Sequence, residues 1–441
     1  MKDQLKLFLN EVDLIDKILF CFIILIPLSL AISIFFADLL ASLSTLILIY
    51  IYLTQKNILF FNSIKKEIFF FLSFFMIILT SLIISDYKNQ SFLPSFFYFR
   101  YFFLSLSIFY ILKKYNFINH LFFIFILLSI GIVVFDSLFQ YFFGFNFFGY
   151  EKVNFNKPNE MSYLTGFFDD EKKLGSYLVR FLPLLISLFY FNKPKIPIKI
   201  ELIIIFLIGT VIFLASERTA LFLLIIIYFF YFLVSNKKIV FLVFSFVIFT
   251  ALIYTESHLT KKYFIFTMKQ IGLQKALNQN DKEKFQTEDL IRYYSVEHEN
   301  LSYTGIQIFK KNILFGSGVK TFFQECHNLK KQKIIKSNKR KNVMLCSTHP
   351  HNTYIQILSE IGILGFLLVI FFFIKVLKNN FVIILKKVKN NIDRSFYFIN
   401  LAIIINLMPL IPSGSFFNNW ISLVMFFSLG FWLYVQDKFK S

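Results

Sequence analysis

Apolar residues recur along this chain in blocks of roughly 20, the length a helix needs to cross a bilayer, and short charged turns separate the blocks. Twelve such spans are predicted, near residues 18 to 36, 39 to 54, 68 to 85, 93 to 112, 121 to 142, 174 to 191, 199 to 215, 219 to 235, 239 to 256, 353 to 374, 396 to 412 and 418 to 436. The pattern predicts an all-α polytopic membrane protein with about 12 transmembrane helices. It also sets a division into an N-terminal bundle (1–256), a long hydrophilic loop (257–352) and a C-terminal helical part (353–441).

Composition narrows the class further. Hydrophobic residues are 57% of 441, with 66 Phe, which excludes an ordinary soluble domain. The net charge of +20 could suggest nucleic acid, but its distribution does not. Lysines crowd alternate turns: Lys56, Lys65 and Lys66, then Lys113 and Lys114, then Lys193, Lys195 and Lys199, then Lys237 and Lys238. A turn read at 375 to 395 adds Lys375, Lys378, Lys386, Lys387, Lys389 and Arg394, whereas the short opposite turns hold Lys88 and Arg218. This asymmetry is the positive-inside pattern, and it predicts cytoplasmic termini with loops 144–173 and 257–352 on the outer side. The expected large partner is therefore the lipid bilayer, with no nucleic acid.

The first span follows a charged segment with no small-residue cleavage site and is expected to act as a signal anchor. Residues 1–17 read either as an interfacial helix or as a solvated tail. Cys21 falls in the first span, where a buried small apolar residue is the default reading. Cys326 and Cys346 both lie in the outer loop, where an oxidising compartment would let them pair and tether the basic segment 327–345. Apolar residues at helical spacing between Glu288 and Phe309 predict one or two helices lying on the membrane, and Lys330–Lys341 reads as a cationic hairpin at a solvated loop tip.

Three spans begin on the outer side, after Asp169-Asp170-Glu171, after Ser216-Glu217-Arg218 and after Asn352-Thr353. Helix N-termini carry unsatisfied amides and the positive end of the dipole, so convergence of the three would make an anion site. The acidic triplet at 169–171 is read more simply as an N-cap cluster. Thr353-Tyr-Ile-Gln356 matches a capping box, which starts the tenth helix at Thr353 and leaves His351 just outside it. Pro350 biases His349 toward extended backbone. Glu360 then lies about 10 Å below the rim at roughly 1.5 Å per residue. It reads either as a functional carboxylate or as one bonded to a neighbouring helix. Gly362 and Gly365 would allow close approach to another helix.

Six arginines stand among 46 basic residues: Arg100, Arg180, Arg218, Arg292, Arg340 and Arg394. Arg218 opens a helix, where a cation opposes the dipole unless an anion is near, so it is the better ligand candidate. Arg100 and Arg180 fall within spans and need partners or water. Five of six histidines are in the outer loop: His258, His298, His327, His349 and His351. Their spacing matches no metal motif, and Gly316-Ser317-Gly318 is too short a match for a nucleotide loop, so neither metal nor cofactor is expected.

The string His351-Asn352, nine residues, Gly362-x-x-Gly365 resembles the signature of the O-antigen ligase and O-antigen polymerase superfamily. Gly166-Phe-Phe-Asp-Asp-Glu-Lys-Lys-Leu-Gly-Ser-Tyr-Leu, Ser216-Glu-Arg218-Thr-Ala and Ile308-Phe-Lys-Lys-Asn-Ile-Leu-Phe-Gly-Ser-Gly318 agree with it. The resemblance covers residues 160 to 375 as motifs and the rest as topology, and it departs from the family at Glu217 and at Asp170-Glu171. It implies a fold similar to GT-C-like glycosyltransferases in the bacterial inner membrane, with the large loop periplasmic. The implied activity is metal-independent, inverting transfer of a glycan from undecaprenyl diphosphate to an acceptor hydroxyl on lipid A core, or on a second lipid-linked glycan if the protein is a polymerase. The resemblance implies His351 as the catalytic base and Arg218 and Arg292 as diphosphate ligands, with Asn352, Glu360, His349, Gly362 and Gly365 in support. A polysaccharide flippase or transporter, the reading from another class, would place its ionisable groups at mid-membrane on broken, repeated helices.

Overall fold

The structure, a computed structural model, describes residues 2–55, 58–152, 163–192, 198–235, 238–268, 295–335, 345–386, 388, 390–409 and 411–440. A short helix α1 (Lys2–Glu11) precedes α2 (Leu14–Ile32), α3 (Ile34–Gln55), α4 (Lys65–Ile84), α5 (Lys88–Phe96), α6 (Phe99–Lys114) and α7 (Ile118–Phe143). Then come α8 (Leu174–Asn192), α9 (Ile198–Leu214), α10 (Arg218–Val234), α11 (Lys238–Thr255) and α12 (Ser257–Lys261). Two loop helices, α13 (Val296–Lys311) and α14 (Phe322–Lys331), lead to α15 (Thr353–Leu385), α16 (Asn391–Asn406) and α17 (Asn419–Lys440). Each expected span overlaps a helix, but the one near 18 to 36 runs across the break between α2 and α3, and the one near 93 to 112 across that between α5 and α6. Among the described residues nine helices are long and apolar enough to cross a membrane, and two shorter apolar ones are α10 and most of α9.

The centre of the bundle is α16, buried continuously from Ser395 to Asn406 and packed on α8, α15 and α17. Polar contacts tie it to its neighbours: Trp432 Nε1 donates to Asn400 Oδ1 at 2.7 Å, and the Ser187 hydroxyl to Ser395 O at 2.7 Å. By contrast α11, uniformly apolar, buries only Phe241 and sits at the rim. Helix α1 packs on α7, with Phe8 against Phe20, whereas the expected buried Cys21 faces outward from the bundle.

Two further span boundaries differ from expectation. Helix α16 stops at Asn406 rather than near 412, because Pro409 and Pro412 cannot continue it. The turn read at 375–395 is largely helix: α15 runs to Leu385, with Val376, Asn380 and Ile383 keeping an inward face at helical spacing and Lys375 and Lys378 turned outward from it.

Helix α15 is also broken. At Gly362 the backbone takes φ 72° and ψ −171°, and the segment 313–318 is spliced into the gap. Ile363 N donates to Ile313 O at 2.8 Å and Leu364 N to Leu314 O at 3.4 Å, while Ser359 O and Glu360 O accept from Ser317 N (3.0 Å) and Gly318 N (2.9 Å). Four backbone groups at the break thus find loop partners, as burial favours. A Cβ at Gly362 would lie 2.3 Å from Leu314 O, and one at Gly316 2.4 Å from the Glu360 carbonyl carbon, so both positions need glycine. Gly362 therefore meets a loop rather than a helix. At Gly365 the three atoms nearest to an added Cβ are side-chain atoms of Ile361 in the same helix.

Candidate functional site

At the loop end of the bundle, where α13 and α14 cover the start of α15, the turn 347–352 is held from several directions. Cys346 is bonded to Cys326 of α14, with Cα atoms 5.6 Å apart, and Cys326 belongs to a small loop core with Leu301, Ile308, Phe322, Leu329 and Ile335. The cap of α15 is Asn352, one residue earlier than the capping box implied: its Oδ1 accepts from Tyr354 N at 3.0 Å and Ile355 N at 3.1 Å. Gln356 is drawn elsewhere, accepting from Phe416 N at 2.7 Å and donating to Ser415 Oγ at 2.9 Å and Glu360 Oε2 at 3.1 Å. A long-range loop thus outcompetes the local box.

That loop, 407–418, also fixes the histidines. Ser413 N donates to His351 O at 2.9 Å, His349 Nε2 donates to Ser413 O at 3.3 Å, and the Thr353 and Ser413 hydroxyls share a bond of 2.9 Å. His351 takes φ 53°, a left-handed conformation uncommon outside glycine and stabilised here by Ser413 and the Asn352 cap. Its ring lies 4.2 Å from that of His349 and 5.8 Å from that of His298, and its Nε2 is 3.4 Å from Ser347 Oγ. His298 is oriented in turn by Ser295, whose Oγ is 2.7 Å from its Nδ1.

Burial pushes all three imidazoles below their ordinary value, and so favours the neutral, proton-accepting form. For His351 the second cause is the neighbouring His298, opposed by Glu297. His349 falls to about 4 through burial and His351, against its bond to Ser413. For His298 burial leads, Glu297 opposes, and Arg218 adds a lowering influence, which ties the histidine cluster to the start of α10.

Near Arg218 lie Lys172 and Lys262, with Glu217 and Glu297 acting against it on Tyr263 and His298. Burial, then Lys172 and Arg218, depress Lys262 to about 8, and its ammonium donates to Ser216 Oγ. Glu217, an acidic neighbour in sequence, turns both oxygens to the start of α8: Oε1 accepts from Gly175 N at 2.6 Å, and Oε2 from Ser176 N at 3.0 Å and Ser176 Oγ at 2.8 Å. Burial raises this carboxyl to about 7 in spite of those bonds. The three helix starts therefore do not form an open anion site. Glu217 occupies the amides of α8 and Asn352 those of α15, and the triplet at 169–171 is not the cap of α8. Arg292 lies outside the described residues, as do Arg340 and the tip 336–344 of the expected cationic hairpin.

The remaining candidates resolve as structural contacts. Glu360 is fully buried, with Oε2 accepting from Lys320 N at 3.0 Å and from Gln356, and Oε1 without a hydrogen-bond partner among the described residues. Arg100 makes a forked pair with Asp38 at 2.9 to 3.1 Å, and Arg180 Nη1 donates to Asn406 Oδ1 at 3.1 Å. His298, Lys262 and Ser413 were not singled out from the sequence. His298 sits three residues after the N-cap Ser295, a readable signal, whereas Ser413 in a Pro-Ser-Gly-Ser stretch looked like any turn.

Fold and site together define an all-α, multi-pass membrane protein whose long hydrophilic loop folds back to present histidines at the mouth of a spanning helix. Residues 203–370 match the model of a family described as O-antigen ligase, and this stretch holds Arg218, Lys262, His298 and His351. The match assigns the stretch to the O-antigen ligase and polymerase superfamily and supports a ligase- or polymerase-type function in a bacterial membrane. No curated protein sequence matches the chain.

Proposed function

We propose that the protein transfers a glycan from undecaprenyl diphosphate to an acceptor hydroxyl at the periplasmic face of the inner membrane, with both termini cytoplasmic and loop 257–352 periplasmic. The observation that carries this reading is the juxtaposition of a neutral, partly buried His351 with the cations Arg218 and Lys262, linked through His298. His351 takes the proton of the acceptor hydroxyl as its oxygen forms the new bond to the anomeric carbon. The bond to the diphosphate breaks on the opposite face, with inversion, and the leaving oxygen keeps the electron pair. A base near neutrality suits the first half, and fixed cations suit the second. Arg218 and Arg292 stabilise the departing diphosphate, and Lys262 adds to their charge. Asn352 and His349 hold the His351 turn in shape.

The acceptor in the ligase reading is lipid A core, and in the polymerase reading it is a second lipid-linked glycan. Cells lacking a ligase accumulate polymer on the lipid carrier, whereas cells lacking a polymerase carry core capped by one repeat. Purified protein given a synthetic lipid-diphosphate glycan should transfer it equally with and without chelator. The His351→Ala protein should be membrane-inserted and inactive, and normal transfer by it would remove the proposal.

A further inference from the structure

Helices α4, α6, α15 and α17 enclose a cavity of about 330 Å³ that the proposed chemistry does not use. Its wall is almost wholly hydrocarbon, with Phe71, Phe74, Phe102, Phe426 and Trp432 the largest contributors. Charge appears at one end alone, where Lys66, Glu67 and Lys375 form the mouth. Lys375 is about 33 Å down α15 from Thr353 at roughly 1.5 Å per residue, close to the thickness of a bilayer core. The mouth is thus at headgroup level on the side opposite the His351 turn.

Glu67 organises that mouth. Its Oε1 accepts from Gln436 Nε2 at 2.7 Å and from Lys440 Nζ at 3.5 Å, and Lys375 Nζ lies 3.8 Å away. Two ammonium groups, those of Lys375 and Lys440, thus face this carboxylate with their side chains 41% and 57% exposed, and Lys66 lines the same mouth. The interior offers a water almost no polar partner, so an apolar occupant is the natural filling. A second, open groove along Ser73, Ile77, Leu364 and Leu368, between α4 and α15, borders the cavity at Phe371.

We infer that this cavity binds one acyl chain of an anionic phospholipid, with Lys66 and Lys375 holding the headgroup phosphate in the leaflet opposite the His351 turn. A zwitterionic headgroup carries its own cation and would meet the lysines less favourably. The inner end of the cavity is lined by Leu407 and Phe416, and Phe416 N donates to Gln356, so the chain would pack against the loop that fixes His351.

Native mass spectrometry of the full-length protein in detergent, with phosphatidylglycerol or phosphatidylcholine of equal chain length, tests this. Phosphatidylglycerol should be retained about tenfold better, and the Lys66→Ala/Lys375→Ala protein should lose about that preference. Leu429→Trp, which fills the cavity and leaves the lysines in place, should lower phosphatidylglycerol retention as well. Equal retention of the two lipids, or full phosphatidylglycerol retention by the folded double lysine variant, would overturn the inference. So would full retention by Leu429→Trp, which would put the lipid elsewhere on the surface. Should Leu429→Trp fail to fold, the double variant, changed only at the mouth, decides alone.

Discussion

Arg100 and Arg218 lie at the same end of the bundle and in different electrostatic settings. Arg100 is matched by a forked bond to Asp38, itself held by Asn419 Nδ2 at 3.2 Å, and the local charge is closed. Arg218 instead acts beside both signs of charge: Lys172 joins it in lowering Lys262, Glu297 opposes it at His298 and Glu217 opposes it at Tyr263, while the oxygens of Glu217 bond to the start of α8. Arginine is scarce in this chain, but only the surroundings give Arg100 a closed fork and leave Arg218 among mixed charges.

The largest expected effect comes from exchanging these roles. Arg218→Ala should lower transfer at least about 100-fold with a nearly unchanged thermal transition, as loss of a transition-state charge partner does. Arg100→Ala should instead cost about 2 kcal/mol of stability by leaving Asp38 partly buried and unpaired. Thermal scans and transfer assays on both proteins check this, and equal destabilisation of the two would erase the contrast. Next comes Gly362→Ala, which should lose about 3 kcal/mol or more through a positive φ and the clash with Leu314 O. Detergent-solubilised yield and the melting transition report it, and a stable Gly362→Ala protein would deny the splice.

A smaller effect concerns pH. Burial and His298 both lower His351, so the acid limb of transfer should fall below the ordinary imidazole value of 6.5. His298→Gln removes one of those causes and should move the limb upward, and an unmoved limb would separate the two rings. The smallest effect is at Glu217, whose carboxyl is raised from 4.5 to about 7. The folded protein holds that proton more tightly than the unfolded chain, so this contribution to stability is complete below about pH 4.5 and is lost as pH rises through about 7. Glu217→Gln should therefore flatten the melting temperature across that window.

Much of the scaffold was legible because it rests on local pattern. Apolar blocks of the right length became helices, Thr353 did open α15, and Cys326 and Cys346 stood on the same loop. What escaped depends on contacts distant in sequence. Nothing in Thr353–Gln356 reports that Phe416 will claim Gln356, and nothing near Ser216 reports that Glu217 will cap a helix that begins more than 40 residues earlier, as the Glu217–Gly175 bond does. Gly362 was legible as a small residue, but its partner, the loop 313–318, was not.

The splice at Gly362 also constrains the order of assembly. An amide or carbonyl without a partner in hydrocarbon costs several kcal/mol, so the open backbone at 359–364 cannot persist in a bilayer on its own. The segment must enter the membrane as unbroken helix, or already accompanied by residues 313–318. Those residues are synthesised first and stay outside the bilayer core until α15 arrives. The turn that carries His351 would then be completed by a docking event after insertion, and a chain cut between 318 and 353 would test whether the two pieces still find each other.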